Sequence, residues 1–322
     1  MKVSLIIPCR EDLKNNLNFL LKKIESWSSY PDEIIIIDST PAKAEIDRHV
    51  LDFLKTNNVS INVLRRKNFY PGNSRNLGIL NAEHSTLAFL DLGTIPPSTW
   101  LQNGLELIQS MNLDGIWGET RYLAKTNKEK VIRAATFGDL PIQTFPGSII
   151  KKEVFFQCGL FIENVRAGED ADWIKRLQLH GIQFAKNNER LAYSGLQGAR
   201  FKDIIYKWHR NYKSASIFPY IAPHRDIYFL ALSLAAVTFA YNWNWFWLDW
   251  KSVSSFYLPN VTKISMGAII GSYIFFRGYF LPKKKGAQLN FLLPLNFIRI
   301  SFLPLAIDIV KLAAFLQSKL SK

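Results

Sequence analysis

The sequence predicts an α/β fold built on a mostly parallel sheet, followed by an α-helical membrane region. Three observations carry this. Short β-branched runs are each followed by an amphipathic stretch, carboxylates close two of those runs, and 22 consecutive uncharged residues lie late in the chain.

Residues 3–7 are apolar and β-rich and stop at Pro8, which reads as a first strand. Between Asp12 and Trp27, Leu13, Leu17, Leu20, Leu21 and Ile24 recur at helical spacing. Glu33-Ile-Ile-Ile-Ile37 is a continuous apolar run ending at Asp38, as a parallel strand buried on both faces requires. A second amphipathic helix is expected over about 43–56, a third strand at Ile61–Leu64, a helix over 73–82 and a fourth strand from Thr86 to Leu90, ending at Asp91. Beyond residue 115 the alternation weakens. Strands are expected at Ser148–Ile150 and Ile182–Ala185, with a helix over 170–179 between them.

The tail differs in kind. Residues 227–248 hold no charge, with Tyr228, Tyr241, Trp243, Trp245 and Trp247 towards the ends, and suit a membrane-spanning helix. Residues 264–282 carry only Arg277 and are followed by Lys283-Lys284-Lys285, completing a hairpin. Residues 289–316 are apolar but interrupted by Pro294, Arg299, Pro304, Asp308 and Lys311, which suits an in-plane helix as well as a third span. The expected organisation is a domain over 1–215 and a membrane region over 216–322.

The formal net charge is +14, and it is unevenly placed. Residues 1–200 hold 25 Lys/Arg against 22 Asp/Glu, and residues 201–322 hold 15 against 4. Cations flanking apolar runs indicate a membrane interface, and no DNA- or RNA-docking motif accompanies them, so nucleic acid is not an expected partner. Six Lys/Arg in 200–226 and three at 283–285 place both ends of the hairpin in the cytoplasm. The short apolar N-terminus lacks the length and cleavage site of a signal peptide, so the first domain is expected to stay cytoplasmic. The inner membrane, with multiple passes, is the expected location. Cys9 and Cys158, with no CxxC spacing, read as buried reduced thiols.

Four local patterns carry chemistry. Ile7-Pro8-Cys9-Arg10-Glu11 follows the first strand, and Asp38 ends the second. A carboxylate there accepts hydrogen bonds from a ribose or a pyrimidine imide, or else caps a helix. Gly72-Asn73-Ser74-Arg75-Asn76-Leu77-Gly78 enters a helix, where Arg75 meets a phosphate or simply faces solvent. Phe89-Leu90-Asp91-Leu92-Gly93 closes the fourth strand. Gly168-Glu169-Asp170-Ala171-Asp172 puts three carboxylates at a helix start, where the dipole keeps them ionised and one can serve as general base or all can be surface capping groups.

In this order and spacing the patterns resemble the family 2 glycosyltransferases of the GT-A (Rossmann-like) fold, over about residues 1–215. The resemblance implies an inverting transfer from a nucleotide sugar to a lipid-linked or glycan acceptor, in surface polysaccharide or glycolipid synthesis. It implies a donor site at Pro8, Arg10, Glu11, Asp38, Arg75 and Asp91, with Asp170 as the base and Glu169 beside it. Asp172, Lys207 and Arg210 would serve the leaving-group or acceptor side, the last two from the basic-aromatic segment Lys207-Trp208-His209-Arg210, which equally suits a lipid-facing collar. Gly93 stands where the family's metal motif has its second Asp. Asp91 is then the one metal carboxylate, and Mg2+ or Mn2+ is a candidate cofactor rather than an implied one. A polyprenyl-phosphate sugar transferase and a silent nucleotide-sugar-binding scaffold are the alternatives.

Overall fold

A computed structural model describes residues 1–10, 14–41, 45–182, 184–215, 218, 225–242 and 261–320. The chain divides into two compact units. The first comprises Met1–Ala124 with Leu140–Gln197, the second Lys125–Asp139 with Gly198–Lys322.

In the first unit, β1 (Val3–Cys9), α1 (Lys14–Ile24), β2 (Glu33–Asp38), α2 (Arg48–Thr56), β3 (Ser60–Arg65), α3 (Pro71–Asn81) and β4 (Thr86–Phe89) alternate as expected. Helix α2 starts later than the amphipathic pattern suggests, because Asp47 caps it by accepting the His49 N–H at 3.0 Å. Helix α3 starts earlier, because Pro71 supplies a preset φ at its first turn. Then come β5 (Thr94–Ile95), α4 (Trp100–Ser110) and β6 (Gly115–Tyr122). After α5 (Asn127–Ala135), which belongs to the second unit, follow β7 (Ile142–Lys151), α6 (Lys152–Cys158), α7 (Glu169–Leu179) and β8 (Ala185–Tyr193). The strand expected over 182–185 thus lies further on, at Ala185–Tyr193. Gln183 is outside the described residues.

The eight strands form one sheet in the order β3-β2-β1-β4-β7-β6-β8-β5. β3, β2, β1 and β4 are mutually parallel, and β7 runs antiparallel to both β4 and β6. The apolar runs bury both faces. Leu5, Ile7, Ile34 and Ile36 join one core with α1, α2 and α4, while Ile6, Ile35 and Ile37 join another with α3, α6 and α7. Cys9 and Cys158 are buried and form no disulfide. The chain order reverses at β1, which pairs with β2 on one side and β4 on the other, so the carboxyl ends of β1 and β4 border the crevice where open α/β sheets bind ligands.

In the second unit, the Thr126–Glu129 capping box opens α5. Helices α8 (Phe201–Ala215), α9 (Arg225–Tyr241), α10 (Val261–Ile274), a π-helical turn Phe275–Phe280, α11 (Leu281–Lys284), α12 (Leu289–Leu292) and α13 (Asn296–Leu320) complete it. Residues 243–248 of the first expected span lie outside the described residues. Among the described residues two stretches, Ile264–Lys284 and Asn296–Gln317, are long and apolar enough to cross a membrane. Their charges answer one another. Arg277 Nη2 lies 2.8 Å from Asp308 Oδ1, Tyr273 donates its hydroxyl to Asp308 Oδ2 at 3.1 Å, and Lys311 Nζ is 3.7 Å from Asp308 Oδ1. Satisfying buried charge this way offsets its desolvation, and α13 runs through Pro304, Asp308 and Lys311 without a break.

Candidate active site

Helix α3 brings Arg75 to the crevice. It packs so closely over the sheet that a Cβ at Gly78 would stand 2.5 Å from Ile6 Cγ2, and Arg75, four-hundredths exposed, is drawn under the surface with it. Its guanidinium forks between two carboxylates. Nη1 donates to Glu169 Oε1 at 2.9 Å, and Nη2 donates to both oxygens of Asp91 at 3.3 Å each. Phe145 and Phe161 lie against it, with ring centroids 4.9 and 5.7 Å away. Burial works against the charge on Arg75, but Asp91, Glu169 and Asp170 outweigh it and hold the group firmly protonated.

Glu169 and Asp170 open α7 with different environments. Glu169 is buried, and burial pushes its carboxyl up to about 7. Arg75 opposes that rise, and Asp170 and Asp91 add to it. Asp170 is partly exposed and has one oxygen on the N–H of Ala171 at 2.8 Å, leaving its other oxygen open to solvent or substrate. The loop before α7 is pinned to α3. Asn76 donates to the Phe161 carbonyl at 2.9 Å and accepts the Phe161 N–H at 2.9 Å, and Asn73 accepts the Asn164 N–H at 2.9 Å. These amides, absent from the sequence-based candidates, fix where the acids stand.

The remaining candidates divide. Asp38, at the end of β2, is buried and accepts the Thr40 N–H at 3.0 Å, the Thr40 hydroxyl and Arg65 Nη1 at 3.0 Å. Pro8 lies in β1 and Arg10 just past it. The Arg10 guanidinium sits 4.2 Å over the Tyr70 ring, with Nη1 buried and without a hydrogen-bond partner among the described residues. Glu11 lies outside the described residues. Asp172 turns away from Arg75 and Asp91. It is buried against Arg176, whose Nη2 is 2.9 Å from Asp172 Oδ2 and also donates to the Leu160 carbonyl at 2.7 Å. Lys207 and Arg210 are on α8 in the second unit, where Lys207 lies 6.0 Å from the Phe137 ring centroid and Arg210 5.8 Å from that of Tyr206.

Two tyrosines join the site without a sequence signal. Tyr122 and Tyr193, ending β6 and β8, meet edge to face at 5.1 Å. Burial and the charge of Asp91 raise both phenols, so they stay neutral hydrogen-bond donors at physiological pH. Beside them, Gly93 has φ +84°, and a Cβ there would come within 3.2 Å of the Tyr193 ring. No group of three His, Cys, Asp or Glu among the described residues is placed to hold a metal ion. Both Asp91 oxygens face Arg75, so a cation of the chain already neutralises this carboxylate.

Residues 4–162 match the model of glycosyl transferase family 2. A Rickettsia felis protein described as an uncharacterized glycosyltransferase is 30% identical over 182 residues, covering 52% of this chain and 29% of that protein. A Rickettsia bellii protein of the same description is 28% identical over 182 residues, covering 52% and 25%. The chain therefore spans between a quarter and a third of the length of these relatives. The mannosyltransferase PcManGT from Pyrobaculum calidifontis, solved in complex with GDP-Man and Mn2+, matches with a TM-score of 0.53 at 12% identity, over 98% of this chain and 87% of that one. That likeness extends to the fold, in keeping with the GT-A-like architecture.

Proposed function

We propose that this chain, whose residues 4–162 form a glycosyl transferase family 2 domain, moves a sugar with inversion from a nucleotide sugar to a lipid-linked or glycan acceptor at a membrane. The observation that carries the reading is the Arg75 fork between Asp91 and Glu169, with the partly open Asp170 next to it at the carboxyl ends of β1 and β4. In the reaction the acceptor hydroxyl oxygen attacks the anomeric carbon as the bond to the diphosphate breaks. The hydroxyl proton passes to Asp170, and the nucleoside diphosphate leaves on the opposite face. Asp38 and Arg10 are the donor-side groups, Asp38 for the nucleoside and Arg10 for a phosphate. Arg75 holds Asp91 and Glu169 in place, so the acids are preorganised before substrate arrives.

A Mg2+ or Mn2+ ion would take one protein carboxylate, Asp91, and would neutralise diphosphate charge. The bound Mn2+ of the mannosyltransferase makes such an ion a candidate here. The reading takes residues 1–215 as a cytoplasmic catalytic domain and residues 216–322 as a multi-pass region in an inner membrane. Support comes from the two long apolar helices and from the basic residues flanking them. Anchoring suits an acceptor that is itself held in the membrane, within surface polysaccharide or glycolipid synthesis.

The test is transfer and hydrolysis by the detergent-purified full chain across UDP-, GDP- and dTDP-sugars, with Mg2+, Mn2+ or EDTA. Turnover with at least one donor, lost in Asp170→Asn, is the expected result. Silence with every donor, lipid acceptors included, would overturn it in favour of a nucleotide-sugar-binding scaffold.

A further inference from the structure

The second unit contains a groove of about 480 Å³ that none of the transferase residues lines. Its lining is mostly apolar, formed by Val131 of α5, Phe201 and Ile205 of α8, and Phe302, Leu303 and Ala306 of α13, with the polar Asn127 beside them. Two exposed cations, Lys128 and Arg299, also line it, and among the described residues no carboxylate does. Neither cation is in an ion pair among the described residues. Lys128 lies 5.6 Å over the Phe201 ring. Phe302, two-thirds exposed, also borders a second crevice of about 190 Å³, lined by Leu230, Val237, Ile270, Tyr273 and Ile274.

An apolar trough that also carries two cations and no carboxylate matches one chemistry, an amphiphile with an anionic head. A free anion would gain nothing from the apolar lining, and a neutral lipid nothing from the two cations. Phe302, Ile309 and Leu316 leave large apolar surface uncovered on the same helix, which suits a lipid environment. Basic pockets between apolar helices take lipid phosphates in this way. We propose that this groove is a binding site for a phosphate-headed lipid. Its phosphate meets Lys128 and Arg299, and its hydrocarbon chain lies along Phe201, Leu303 and Ala306, with length to spare reaching past Phe302 into the second crevice. The proposal is independent of the transferase reading, since none of these residues belongs to that site.

The test is native mass spectrometry of the full chain purified in a neutral maltoside detergent, with dioleoyl phosphatidic acid as probe and dioleoyl phosphatidylcholine as comparator. The expected result is retention of phosphatidic acid about tenfold above phosphatidylcholine. The double variant Lys128→Ala/Arg299→Ala should lose it about tenfold, Ala306→Trp should lose it with both cations present, and Lys202→Ala should leave it unchanged. Lys128→Arg/Arg299→Lys keeps both charges and should bind within about threefold of the parent. If the alanine pair aggregates, this pair and Ala306→Trp decide. Equal retention of the two lipids, or retention untouched by Ala306→Trp, would mean ordinary annular contact and overturn the site. Displacement of the lipid by inorganic phosphate at equal concentration would instead assign the cations to a free anion, and would overturn it as well.

Discussion

Arg75 Nη1 and Glu169 Oε1 meet at 2.9 Å across 94 positions of sequence, and the same guanidinium reaches Asp91 with its other nitrogen. One planar fork therefore sets the spacing of the acids at the ends of β4 and α7. Lysine is a point charge that cannot serve two carboxylates in fixed directions. Arg75→Lys should lower kcat/KM about 100-fold while the protein stays folded, as steady-state transfer and thermal melting would show together. Unchanged kcat/KM would mean that the fork is dispensable.

Asp170 is partly exposed and meets no arginine among the described residues, whereas its buried neighbours Glu169 and Asp172 pair with Arg75 and Arg176. Asp170→Asn retains shape and hydrogen bonding but cannot take a proton, so transfer should fall by about 1,000-fold. Donor binding, followed by calorimetry, should remain within about twofold, because the base acts on the acceptor side. Full turnover by this variant would remove Asp170 from the chemistry.

Asp172 offers the contrast. It lies in the same acidic triplet, yet its carboxylate is buried against Arg176, which also ties down the Leu160 carbonyl. Asp172→Asn breaks a buried pair and should cost about 3 kcal/mol of stability. Per folded molecule kcat should be nearly unchanged, and thermal melts paired with active-site titration separate the two effects.

These three acids show what the sequence could and could not convey. Their position at a helix start was legible from Gly168-Glu169-Asp170-Ala171-Asp172, and so were the parallel strands, because Ile34 to Ile37 are buried on alternate faces. Which acid faces Arg75 and which faces Arg176 depends on rotation about the axis of α7 and on partners far away in sequence. Tyr122 and Tyr193 were illegible for the same reason. They become neighbours only when β6 and β8 pair in parallel, a long-range register with no local motif. β6 itself went unread because Gly115 and Gly118 weaken its strand pattern, and only the pairing with β7 and β8 completes it.

Glu169 makes stability depend on pH. Its carboxyl rises from an ordinary 4.5 to about 7 on folding, so the folded chain binds more protons than the unfolded chain between those values. Stability from this group is present in full below about 4.5, declines as pH rises, and is lost above about 7, at an order of 3 kcal/mol. Melting temperature should fall from pH 5 to pH 8 in the parent and flatten in Glu169→Gln. An equal slope in both would show that another group titrates.

Gly93 tests whether the missing second acid can simply be restored. At φ +84° a side chain is strained, and its Cβ would press on the Tyr193 ring at 3.2 Å, beside the backbone bond from the Ser194 N–H to the Gly93 carbonyl. Tyr193 pairs edge to face with Tyr122, so moving one ring moves the other, next to Asp91. Gly93→Asp should therefore destabilise the protein by about 1–2 kcal/mol and lower turnover, even though it adds a carboxylate of the right kind. Metal titration of transfer is the decisive readout. If the variant gains a steep Mn2+ dependence with higher kcat, the backbone accepts an acid at this position and the strain argument fails. If turnover falls at every metal concentration, the glycine is set by the close approach of Tyr193, and any ion at the site must do with Asp91 alone.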